Sequence, residues 1–260
     1  MRSAILAAAL ALVFAFVFPV VLPLAFAPAA RADDAITVLA GRATQDLLIE
    51  MQPALEKATG RKVELIWANA TSVRKRMASG ESYDVVIIVA PDIDLFIKHH
   101  QLAPGSRTDL MKTTVAVAVR AGAPHPDISS ADAVKRTLLA ARSIAYSSGT
   151  SGEYVLAMVE KLGIADKVTP KMVQVGQGVR VAGLLAKREV EIGLQQASEL
   201  INEPGIDYLG PLPPELQKTS TYAAGIGIAS KHPDAARALI KALMSPEAVA
   251  VMKKRGLEPG

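Results

Sequence analysis

Five consecutive β-branched residues, Val85-Val86-Ile87-Ile88-Val89, most constrain what this chain can fold into. Such a run is apolar on both faces, as a strand buried inside a parallel sheet is. Around it, short apolar runs alternate with amphipathic stretches. Residues 36–39 and 62–67 read as strands. Residues 44–59 read as a helix, in which Leu47, Leu48, Met51, Leu55 and Ala58 keep helical spacing. Pro53 lies inside that helix and predicts a kink or a break, and Gly60 predicts its end. Thr71 or Ser72 is the candidate cap of a helix through Met77, and Asp92 of a short one ending near His99-His100. This β-α-β-α-β-α order argues for a parallel, doubly wound sheet.

A second set follows. A strand at 113–119 runs into a turn-rich stretch at 121–126, the candidate first hinge. Strands at 143–145, 171–175, 192–195 and 206–209 come next, with helices near 129–140 and 179–187. Pro211-Leu212-Pro213-Pro214 breaks the pattern and marks a second crossover. A strand at 222–228 and helices at 233–244 and 246–255 close the chain, each helix with proline early, where it is tolerated. That coda is too small to stand alone and most simply completes the first set. The predicted architecture is α/β with two lobes, 33–120 plus 219–260 and 121–218, joined by two crossover strands. Each lobe is a mostly parallel sheet flanked by helices. Ligands of open α/β sheets bind beyond the carboxyl ends of the strands, so those ends are expected to line one cleft.

The N-terminus carries Arg2, an apolar stretch at 5–27 broken by Pro19 and Pro23, and Ala30-Arg31-Ala32 before Asp33-Asp34. This fits an export signal over 1–32, cleaved after Ala32, and hence a periplasmic protein. A retained membrane anchor is the competing reading, because the run is long enough to span a bilayer. Cleavage takes away two arginines and no acid, so the formal net charge falls from +4 to +2. That balance, with no basic run, excludes a nucleic-acid partner as an expectation. There is no cysteine, so neither a disulfide nor a lipid anchor on cysteine is available; a chain of this length buries enough apolar surface without them.

Between a strand and a helix start, residues 145–154 hold Ser147, Ser148, Thr150 and Ser151 together with Gly149 and Gly152. Helix N-termini offer unpaired N–H groups and partial positive charge, so this loop reads as an anion seat. An ordinary helix start capped by Thr150 or Ser151 is the alternative. Arg42 follows the first strand, and Asn69, Thr71 and Ser72 follow the second, at equivalent positions. Arg180, at another helix start, would complete a clamp on a multiply charged ligand, since arginine grips a carboxylate with two parallel hydrogen bonds. One of Gln195 and Gln196 should point into the cleft, because strand side chains alternate. Arg74 reads as solvent-facing and Trp67 as lobe packing. His99, His100, His125 and His232 lack metal-ligand spacing, and no cofactor fingerprint or serine-hydrolase elbow occurs, so neither metal nor cofactor is expected.

The segments Ile36-Thr37-Val38-Leu39-Ala40, Thr59-Gly60-Arg61-Lys62-Val63, Tyr83-Asp84-Val85-Val86-Ile87, Glu189-Val190-Glu191-Ile192-Gly193-Leu194, and the C-terminal Pro233-Asp234-Ala235-Ala236 with Leu243-Met244-Ser245-Pro246 occur in this order along the chain. Together they resemble the periplasmic molybdate-binding protein family of ABC transporters. The resemblance implies a two-lobed type II solute-binding protein, a monomer that captures a small anion for the membrane subunits of an importer. The family's site uses neutral hydroxyl and N–H donors. Here the serine of the first turn is missing from Ala40-Gly41-Arg42-Ala43-Thr44, the second turn is Ala68-Asn69-Ala70-Thr71-Ser72, and Gln195-Gln196 stands where a tyrosine is expected. Arg42 adds a full charge, so an organic di- or tricarboxylate is expected rather than molybdate. A divergent branch resembling aconitate isomerase shares Tyr146-Ser147, Ser151-Gly152-Glu153-Tyr154, Gln195-Gln196-Ala197-Ser198-Glu199-Leu200 and the segment from Pro204 to Pro213. That resemblance implies an alternative to simple binding: moving a proton and a double bond in a tricarboxylate, with Glu153, Tyr146 or Tyr222 as the candidate base.

Overall fold

A computed structural model describes residues 34–176 and 178–260, and the expected signal segment at 1–32 lies outside the described residues. Strand β1 (Ile36–Gly41) passes through a 3-10 turn at Arg42–Thr44 into helix α1 (Gln45–Thr59). Strand β2 (Val63–Ala68), helix α2 (Ala70–Ala78), strand β3 (Val85–Val89) and helix α3 (Ala90–Lys98) complete the first set. All five residues of β3 are buried, as a run apolar on both faces requires. Pro53 does not break α1. Pro53 and Ile49, whose carbonyl loses its N–H partner to the proline, both lie on the exposed side, where that carbonyl can be solvated. Gly60 ends the helix in the left-handed region at φ 66°. The cap of α2 is Asn69, whose side chain accepts from the Ser72 N–H at 2.8 Å, rather than Thr71 or Ser72. Asp92 lies inside the first turn of α3 instead of capping it.

Strand β4 (Thr108–Arg120) leads into helix α4 (Ala131–Ala140), strand β5 (Ile144–Tyr146), helices α5 (Thr150–Lys161) and α6 (Ala165–Val168), strand β6 (Met172–Gln174), helix α7 (Val181–Ala186) and strands β7 (Ile192–Gln196) and β8 (Ile206–Pro211). Strand β9 (Thr219–Ile226) returns to the first set, followed by helices α8 (Pro233–Ala242) and α9 (Pro246–Lys254) and a short β10 (Glu258–Pro259). The sheet order is β2-β1-β3-β9-β4-β7-β5-β6. Its two outer parts are parallel, and β9 and β4 run antiparallel through the middle.

The crossing between lobes lies inside β4. Residues up to Thr114 pair with β9, and Val115 onward with β7, so the passage precedes the turn at 121–126 that the sequence suggested. An unbroken 13-residue strand keeps its hydrogen bonds across the junction, and no turn residue is needed there. The cores divide at the same place: one cluster runs from Ile36 to Met111 and resumes at Tyr222, and the others lie between Val115 and Leu216. Alternation along β4 feeds both faces of lobe two. Val115, Val117 and Val119 pack under α4 and α5, while Ala116 and Ala118 pack under α7. Trp67 packs half-buried on the lobe-one core.

A cleft at the strand ends as the candidate functional site

The carboxyl ends of β1, β2, β5 and β7 converge on one cleft between the lobes, supplying Arg42, Asn69, the 147–151 loop, and Gln195 and Gln196. The lobes stand close together. The cavity left between them is small, about 40 Å³. Side-chain hydrogen bonds span the gap. Asn69 Nδ2 donates to Ser148 Oγ at 3.0 Å, Arg74 Nη1 to Glu153 Oε1 at 3.0 Å, and Arg180 Nη2 to Asp46 Oδ1 at 2.8 Å.

The 147–152 loop is built around one hydroxyl. Ser147 Oγ accepts the N–H groups of Gly149 at 3.3 Å and Gly152 at 3.1 Å, and lies 2.8 Å from Ser151 Oγ. Ser147 and Ser151 are buried and hold the loop. The cap position of α5 is Gly149, so neither Thr150 nor Ser151 caps it. A Cβ at Gly152 would sit 1.7 Å from the Ser147 carbonyl oxygen, so only glycine permits this close approach. Ser148 and Thr150 remain as hydroxyls lining the cleft, and Thr150 has no side-chain hydrogen bond among the described residues.

Arg42 lines the cleft opposite. Its Nη1 reaches Gln45 Oε1 at 3.3 Å, and its Nε is buried with no partner. A buried charged donor left unmade costs a few kcal/mol. Gln195 and Gln196 are both buried and both line the cleft, although alternation predicted only one. Gln195 is spent on the protein: its Oε1 accepts the Val181 N–H at 3.1 Å, and its Nε2 donates to Glu199 Oε2 at 2.7 Å. The Gln196 Oε1 is buried without a partner.

Glu199 is the cleft residue that sequence reasoning missed as a site. It ends a 3-10 turn, Ala197–Glu199, directly after β7. Burial pushes its carboxyl up to about 7, against the pull of Arg180 and Arg42. Its signal was an acid three residues beyond the end of a buried strand, inside a segment noticed only for its resemblance. Tyr222, from β9, also lines the cleft, and burial, with the charges of Glu199 and Asp92, drives its phenol well up.

Other candidates fall elsewhere. Thr71 is exposed on α2, and neither it nor Ser72 lines the cleft. Tyr146 is buried outside the lining. Glu153 is exposed and engaged by Arg74. Arg74 is not simply solvent-facing, since its Nε also meets both oxygens of buried Asp92, at 2.9 and 3.0 Å. Arg180 is held by Asp46 and Glu203; burial works against its charge, and Asp46, Glu203 and Glu199 together offset this, leaving its pKa raised. Among the described residues, no group of three or more His, Cys, Asp or Glu side chains is placed to hold a metal. A roomier cavity of about 670 Å³ opens at the other end of β4 and β7, but its Arg120, Arg136 and Arg142 are already bonded to the Ala121 carbonyl, Asp127 and Glu191.

A sequence profile of bacterial extracellular solute-binding proteins matches residues 36–258. The chain belongs to this family. A relative of this solute-binding protein, the aconitate isomerase of a Pseudomonas species, is 37% identical over 236 residues, covering 89% of this chain and 90% of the relative. The periplasmic molybdate-binding protein of Azotobacter vinelandii superposes with a TM-score of 0.72 at 18% identity, covering 85% of this chain and 98% of that one. The sulfate-binding protein SubI of Mycobacterium tuberculosis superposes with a TM-score of 0.70 at 20% identity, covering 87% of each chain. These likenesses establish the two-lobed fold. Among the described residues, no helix is long and apolar enough to cross a membrane.

Proposed function

We propose that this solute-binding protein captures a small organic di- or tricarboxylate between its lobes in the periplasm, for delivery to an ABC-type importer. The observation that carries this reading is Arg42, whose buried Nε has no protein partner at the mouth of β1. A guanidinium offers two parallel donors that match a carboxylate, and it supplies the full charge that a site of neutral donors lacks. The Thr150 hydroxyl, the Ser148 hydroxyl and the start of α5 lie in the facing lobe. A ligand touching both lobes would favour closure by its contacts to each. Isothermal titration against trans-aconitate, cis-aconitate, citrate, molybdate and sulfate tests the reading. Binding of the carboxylates ahead of the oxyanions is expected, and no heat with any of the five overturns it.

A second reading is that the bound tricarboxylate is also turned over, between trans- and cis-aconitate. The relative named aconitate isomerase, similar along nearly the whole of both chains, favours it. Chromatography of trans-aconitate incubated with catalytic amounts of protein decides the point: product beyond one equivalent establishes turnover, and its absence leaves a binder.

A further inference from the structure

Three of the residues lining the cleft have titratable side chains: Arg42, Glu199 and Tyr222. Arginine stays protonated at any working pH. Tyr222 is pushed further from ionisation by burial, so near neutrality it is a neutral hydroxyl. Glu199 alone among them can both take and return a proton there. Its backbone is fixed by the tight turn at the end of β7. Gln195 Nε2 holds its Oε2 at 2.7 Å, and Gln195 is itself pinned by the Val181 N–H at the start of α7. The other oxygen, Oε1, makes no hydrogen bond among the described residues, which leaves it available on a side chain that lines the cleft.

We propose that Glu199 is the catalytic base that moves the allylic proton of a bound unsaturated tricarboxylate, with Gln195 as its positioning residue; this rests on the turnover reading above. Glu199 Oε1 takes a proton from the methylene carbon, and that C–H bond breaks. Its electron pair spreads over the three allylic carbons and the attached carboxylate, facing the charge of Arg42. The protonated Glu199 then returns the proton to the far allylic carbon, where a new C–H bond forms and the double bond settles in the other position. One proton leaves and one returns, no electron is gained or lost, and no co-reactant is needed. A base with its carboxyl raised to about 7 is well matched to such a step. The exposed Glu153 and the buried Tyr146, by contrast, are not on the cleft lining.

The test compares the full chain with Glu199→Gln and Glu199→Asp, using trans-aconitate as the probe in ordinary and deuterated water. The wild type is expected to form cis-aconitate, with deuterium in the new C–H bond to the extent that the protonated Glu199 exchanges with solvent before returning the proton. Glu199→Gln is expected to bind trans-aconitate within about threefold of wild type but to lose about 10²–10⁴-fold in kcat, with deuterium incorporation lost in step. Glu199→Asp is expected to keep part of the rate with a shifted pH profile, and supplies the test if the glutamine variant does not fold. Gln195→Ala is expected to lower kcat more than it raises KM and to shift the pH profile. A wild type that turns over beside a Glu199→Gln variant within tenfold of its kcat overturns the assignment and leaves the turnover reading standing. A wild type that binds trans-aconitate without turnover or exchange overturns both.

Discussion

Asn69 and Ser148, which are 79 residues apart in the chain, meet across the cleft, the amide Nδ2 donating to the hydroxyl at 3.0 Å. The contact links the end of β2 to the loop after β5, so two strand ends from different lobes share one polar pair. Asn69 does two jobs at once, since its Oδ1 also caps α2 by accepting the Ser72 N–H. Its side chain is therefore pre-set before a ligand arrives, which lowers the ordering cost of binding.

Ser148 and Ser147 should separate binding from folding. Ser148→Ala removes a cleft hydroxyl that no buried group depends on. A loss in affinity of about tenfold is expected by calorimetry, with the melting temperature unchanged. Ser147→Ala strands the N–H groups of Gly149 and Gly152. It should destabilise the protein by about 1–3 kcal/mol in urea unfolding. Equal melting temperatures for the two variants would contradict this division.

Arg42→Lys should not rescue Arg42→Ala. The ammonium keeps the charge but loses the planar pair of donors. Both variants are expected to bind trans-aconitate about 10–100-fold more weakly than wild type. Recovery of wild-type affinity by lysine would show that charge alone is read.

Glu199 should leave a mark on stability as a function of pH. Its folded carboxyl is raised to about 7 from an ordinary 4.5, so the folded chain holds the proton more tightly. Stability from this group is fully present below about 4.5 and is lost as pH rises through about 7. The charges that act on it come from several elements, Arg42 and Asp46 near the start of α1 and Arg180 before α7, while Tyr222 on β9 stays neutral. Unfolding in urea should show Glu199→Gln gaining on wild type between pH 5 and pH 8, by at most on the order of 3 kcal/mol. A difference independent of pH would count against a raised carboxyl.

Arg74 joins two carboxylates of very different burial. Asp92 is buried in lobe one, and Glu153 is exposed on lobe two. Arg74→Gln leaves Asp92 without its cation and should cost about 1–3 kcal/mol of stability. Glu153→Gln should cost less than about 1 kcal/mol and leave kcat near wild type. A large loss of kcat in Glu153→Gln would restore it as a base and displace Glu199.

Local chemistry made much of this protein readable from the chain alone. The buried run 85–89, the stop at Gly60, and the proline-led final helices follow from short-range sterics and patterning, and the structure has them where expected. The position of Arg42 at a strand end was legible for the same reason, because strand ends in this architecture face the ligand. Other features depend on which groups meet. No local signal showed that β4 would run unbroken through both lobes, because its hydrogen-bond partners come from segments about a hundred residues away, such as Gln217 accepting from Val115. Nothing local distinguished Arg180 from Arg42. Asp46 and Glu203 neutralise one, and the other keeps a buried donor unpaired. Glu199 likewise looks ordinary as the last residue of a turn. Its raised carboxyl comes from being folded away from water between two lobes, and desolvation is a property of the assembled surroundings, not of the residue.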